Sequence, residues 1–155
     1  MTRFKPLYEI ADGVRKALEN TGVFKHTTVA AISTGNQIWV SRDILNALPA
    51  AVVCVGNGAF KSRGLARDTT VLIIVVDSFK SGTEAKAKGV WPLIDTTCNL
   101  FIPQVEPKKL PVMPIIDGVE YELRNFIPIE SEERISAFGI ELNGAEGAVY
   151  EIENQ

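Results

Sequence analysis

Two unbroken apolar runs, Ala50 to Val55 and Val71 to Val76, constrain this chain more than any other feature. A strand with one wet face alternates apolar and polar residues, so runs this uniform belong where both faces of a sheet are covered. They are predicted as central strands, the second reaching from Thr69 to Asp77. Between them, residues 56–68 carry three glycines and the cations Lys61, Arg63 and Arg67, with few core-forming side chains. An antiparallel hairpin with a long, basic, mobile tip over 56–68 fits both facts.

The flanking pattern adds two helices. Leu7, Ile10, Ala11, Val14, Ala17 and Leu18 recur at three- and four-residue steps and share one face, with Pro6 in the first turn and Asn20-Thr21-Gly22 as the stop. After a polar connector over Ser78 to Lys88, a second helix is predicted with Val90, Trp91, Leu93, Ile94, Thr97, Cys98 and Phe101 on one broad apolar side and Pro92 in its first turn. Thr27 to Ile32 reads as a short strand. Ser33-Thr34-Gly35-Asn36 reads as a turn, Gln37 to Val40 as a partner strand or extended loop, and Ser41 to Leu48 as a short helical turn. Prolines at 103, 107, 111 and 114 space an extended stretch. Asp117-Gly118 is a turn signal, Val119 to Leu123 alternates apolar and acidic residues, and Phe138, Ile140 and Leu142 line one face of a half-exposed strand. Asn143-Gly144 either closes a hairpin with Val149 to Ile152 or leads into a frayed tail over 144–155. The expected fold class is α+β: a single domain over 1–155, with a mainly antiparallel four- to five-stranded sheet and two helices packed on one face.

A length of 155 residues suits one domain, and 46% hydrophobic residues can build its core without staples. No apolar run approaches a membrane span and the first residues form no signal-peptide core, so a soluble intracellular protein is expected. Cys54 and Cys98 lie far apart in apolar segments and form neither a disulfide framework nor a zinc pattern. A net charge of -3 argues against binding nucleic acid through bulk charge.

Chemical candidates thin out quickly. Gly56-Asn57-Gly58-Ala59-Phe60-Lys61-Ser62 echoes a phosphate-binding loop, but Phe60 stands where that loop needs glycine and no helix pattern follows. The lone His26 sits in a polar stretch with no nucleophile motif. Cys54 and Cys98 read as small hydrophobes. Glu130, Glu132 and Glu133 form an acidic run typical of a solvated face. No catalytic, cofactor or metal residues are assigned. Charge distribution says more: residues 1–90 hold 12 Lys and Arg against 7 Asp and Glu, whereas 91–155 hold 4 against 12. Either the signs interleave in the fold, or they occupy different surfaces through which copies attract one another or the basic hairpin faces an acidic partner.

The order of elements resembles a known family. Leu48-Pro49-Ala50-Ala51-Val52-Val53 leads a strand, followed by a glycine-rich turn and the apolar strand Thr69 to Asp77. Then come Gly89-Val90-Trp91-Pro92-Leu93-Ile94 in a buried helix, Asp117-Gly118-Val119-Glu120-Tyr121, and the strand Ile135 to Leu142. Across nearly the whole chain this is similar to the tail-terminator and minor tail proteins of Mu-like and lambda-like phages and related prophages. The resemblance implies a viral tail-assembly protein with no enzymatic activity and no cofactor. Such a wedge closes into a homohexameric ring, caps the tail tube, stops its polymerisation and meets the head-connector or head-closure protein. It would act in the host bacterial cytoplasm and then in the virion tail, with DNA passing non-specifically through the lumen and no membrane contact. Lys61, Arg63 and Arg67 are inferred from their charge as partner or lumen contacts. Two other readings stay open: a small enzyme built from scattered residues such as Asp77 or the Glu130 cluster, and a neighbouring virion part such as a tube or head-closure subunit.

Overall fold

The computed structural model describes residues 2–31, 42–78, 83–129, 135–147 and 149–150. The chain forms β1 (Thr2–Arg3), α1 (Leu7–Glu19), β2 (His26–Val29), a single turn α2 (Arg42–Leu45), β3 (Ala50–Lys61), β4 (Ala66–Ser78), α3 (Thr83–Asn99), β5 (Ile115–Ile116), β6 (Val119–Ile129), β7 (Ile135–Gly147) and β8 (Val149–Tyr150). Six strands make one curled sheet in the order β2-β3-β4-β7-β6-β5, and β1 pairs with β8 in a separate two-stranded ribbon. The α+β class and single domain hold. The strand count does not: six strands replace the expected four or five, and β2 runs parallel to β3, so the sheet is mixed.

The two apolar runs sit at the sheet's centre, as their composition demands. Ala51 pairs with Val75 and Val53 with Ile73 on one face, while Ala50, Val52, Cys54, Ile74 and Val76 fill the other. On the first face, Ile10, Ala11, Val14 and Leu18 of α1 and Val90 and Ile94 of α3 cover the sheet, joined by Phe101 just beyond α3. Fully burying a side chain such as Leu18 stabilises the fold by about 1.5–3 kcal/mol. Ile44 of α2 packs on the second face with Leu48 and Ala30. The curl of the sheet brings the β5–β6 turn back to α1, where Gly13 is buried. A Cβ at Gly13 would lie 3.0 Å from Asp117 Oδ2 and 3.4 Å from Ile116 Cγ2. Asp117 and Gly118 both take positive φ, 51° and 82°, which suits a tight two-residue hairpin connection.

Several boundaries differ from expectation, each for a physical reason. Helix α3 starts at Thr83, so Pro92 lies inside it and not in its first turn. Pro92 is exposed, so the backbone opening that a proline creates faces water. Trp91 is 56% exposed because the buried line runs through Val90, Ile94 and Thr97, and a residue one step along points about 100° away. Leu7 likewise lies outside the buried stripe of α1. Strand β7 is central and largely buried where a half-exposed strand was expected, because β4 and β6 flank it on both sides. Asn143 and Gly144 continue this strand opposite Thr70 and Thr69 instead of turning, and Val149 and Tyr150 pair with the N-terminus. Gln37 to Val40, the preceding turn and residues 151–155 lie outside the described residues.

Candidate assembly surface

The basic segment is an ordered ribbon. Strands β3 and β4 stay paired up to Lys61 and Ala66, and only a 3-10 turn at Ser62–Gly64 with Leu65 forms the tip. A bulge after Val55 shifts the register so that Gly58 faces Thr69. A Cβ at Gly58 would lie 2.5 Å from the Asp68 carbonyl oxygen, so only glycine lets the two backbones approach this closely.

The ribbon separates the three predicted contact cations. Lys61 is exposed and forms a diagonal ion pair with Asp68 on the face away from the helices. Arg63 sits at the tip with φ 58°, exposed and without an ion-pair partner among the described residues. Arg67 turns inward. Its Nε and Nη2 donate to Glu146 Oε1 at 2.8 and 2.6 Å, and Nη2 also donates to the Lys5 carbonyl at 2.6 Å. The Lys5 N–H reaches Glu146 Oε2 at 3.2 Å, and the Arg67 guanidinium stacks 4.8 Å from the centre of the Phe4 ring. Phe4 in turn meets Phe60, with ring centres 5.8 Å apart. Arg67 and Glu146, with side chains 15% and 5% exposed, therefore clasp the N-terminal segment to the sheet. Arg67 is committed within the fold, Lys61 is partly so, and Arg63 remains at the surface.

Around this tip, Phe60 (68% exposed) and Leu65 present apolar surface. A second apolar region lies at the β5–β6 edge, where the chain between α3 and β5 doubles back through a Gln104–Val112 bridge. Val105, Leu110, Val112 and Ile115 are exposed there, Leu110 at 88%. An open groove of about 640 Å³ runs between Leu100, Ile102, Val112, Met113 and Ile115. It shares Met113 with a smaller groove of about 330 Å³ lined by Glu120, Glu122 and Asn143. Sequence reading missed this double groove. The proline spacing marked its backbone as extended, but nothing in the sequence placed it beside Glu120 and Glu122.

The remaining polar candidates do not converge. His26 lies on β2, and Cys54 is buried with its thiol pushed up to about 11 by that burial. Cys98 borders a groove of about 380 Å³ with Leu123 and Phe126, its thiol raised by burial and by Asp95. Asp77 ends β4, its carboxyl raised by burial although the Ser78 N–H donates to it at 2.8 Å. The Glu130 cluster lies outside the described residues. Among the described residues, no group of three His, Cys, Asp or Glu side chains is placed to hold a metal, and no helix is long and apolar enough to cross a membrane. Compared with protein-family models and with curated proteins, the chain finds no match.

Proposed function

We propose that this chain is a phage or prophage assembly subunit of the tail-terminator kind, which closes into a ring on the last ring of tube subunits and presents its other side to the head connector. The observation that carries this reading is the exposure of large apolar side chains in separate places, Phe60 with Leu65 at the hairpin tip, Val112 with Ile115 at the β5–β6 edge and Phe126 with Ile127 further along β6. Scattered apolar residues on a surface need no explanation, whereas clusters beside open grooves mark surfaces that other proteins cover. A small-molecule enzyme concentrates convergent polar groups in a deep cleft. The grooves here are open, and their polar groups do not meet the half-buried Asp77. Separate patches also suit head-to-tail contact, which generates rings when the rotation closes.

In this role the protein works in the host cytoplasm during assembly and then within the virion tail. Its partners are copies of itself, the tube subunit and a head-connector or head-closure protein. Native mass spectrometry over a range of concentrations, with and without the tube subunit, tests the reading. A closed ring of fixed number that caps tubes is expected. Open-ended stacking would instead mark a tube subunit, and a strict monomer that never engages tubes would overturn the proposal.

A further inference from the structure

Resting on the ring reading above, we propose which surfaces join the copies: the β3–β4 tip of one copy seats in the double groove at the β5–β6 edge of the next, with Leu65 and Phe60 against Val112 and Ile115 and Arg63 against Glu120. The chemistry of the two surfaces is complementary. The tip is an apolar knob carrying an exposed cation, and the groove is an apolar trough continued by carboxylates. Among the described residues, neither Arg63 nor Glu120 has an ion-pair partner. Opposite charges left exposed on two patches of one chain favour contact between different patches over contact between like ones.

The sheet register places both surfaces at the same end of the strands. Ala59 pairs with Asp68, Asp68 with Ala145, Ala145 with Glu120 and Glu120 with Ile115, so one row crosses from the base of the tip to the lip of the groove. The middle and far parts of the β6 edge are poorly suited to pairing with a strand of another copy. A bulge after Leu123 and Pro128 within the strand interrupt the ladder that an added strand would need.

Charge exchange in the full chain tests the proposal. Arg63→Glu and Glu120→Lys are made singly and together, and association is measured by sedimentation velocity, with thermal unfolding to show that each variant folds like the parent. Each single variant is expected to associate at least about tenfold more weakly, and the double variant, whose tip and groove have swapped signs, to recover. Single variants that associate like the parent, or a double variant as weak as either single, would overturn this contact and leave the ring reading standing if the parent forms closed rings. A parent that stays monomeric at every concentration, with or without tube subunits, would overturn both.

Discussion

Arg67 shows how a partner distant in sequence redirects a residue. Lys61, Arg63 and Arg67 look equivalent along the chain, but side chains on paired strands alternate between faces. Arg67 falls on the helix side opposite Glu146, and Lys61 on the other side beside Asp68. Truncating one partner of a shielded pair strands the other charge, so Glu146→Gln is expected to destabilise the fold by about 3 kcal/mol. Lys61→Ala removes an exposed pair and should cost less than about 1 kcal/mol. Urea unfolding of both variants checks the contrast, and equal losses would contradict the inward placement of Arg67. Glycines allow a second contrast. An alanine Cβ at Gly58 would collide with backbone at 2.5 Å, whereas at Gly56 it would make ordinary contacts of 3.7 Å with Thr70. Gly58→Ala should cost about 1–3 kcal/mol and Gly56→Ala stay within about 0.5 kcal/mol of the parent in the same measurement.

Elements were legible where the local pattern alone decides them. The uniform runs of β3 and β4, the stripe of α1, the alternation of Val119 to Leu123 and the Asp117-Gly118 turn each carry their structure within a few residues. The parallel pairing of β2, the central position of β7 and the union of the two termini depend on partners far along the chain, and no local signal encodes them. The groove stayed hidden for the same reason, since the β5–β6 pairing brings Met113 and Glu122 to line one groove. The end of β4 supplies a prediction at this scale. Burial raises the Asp77 carboxyl above its ordinary value, so in the pH interval between the unfolded and the folded value the folded chain holds a proton there that the unfolded chain releases. Stability is then greatest below the unfolded value and falls as pH rises through the folded one. Asp77→Asn should match the parent in acid and exceed it at neutral pH, as read from thermal midpoints between about pH 3 and 7.

At the scale of the whole molecule, sheet order keeps the strands of the two halves of the chain apart. Strands β2, β3 and β4 come from the basic first 90 residues and β7, β6 and β5 from the acidic remainder, and each group stays together in the sheet. On these strands Lys61 and Arg67 balance Asp68 and Asp77 in the first group, whereas Glu120, Glu122, Glu141 and Glu146 outnumber Arg124 in the second, so copies arranged head to tail bring the Arg63 tip of one molecule to the acidic side of the next. Exposed charges are screened within about 10 Å at 0.1 M salt, so the contribution should fade as salt rises. The apolar contacts of Leu65 and Ile115 do not depend on such screening. Raising sodium chloride from about 0.05 to about 0.5 M should therefore weaken association by roughly tenfold without abolishing it, while the thermal midpoint of the single chain changes little. Sedimentation at several salt concentrations measures this directly. Association that tightens with salt would mean that burial of apolar surface alone joins the copies, and the charges of Arg63 and Glu120 would then serve no role in holding the ring together.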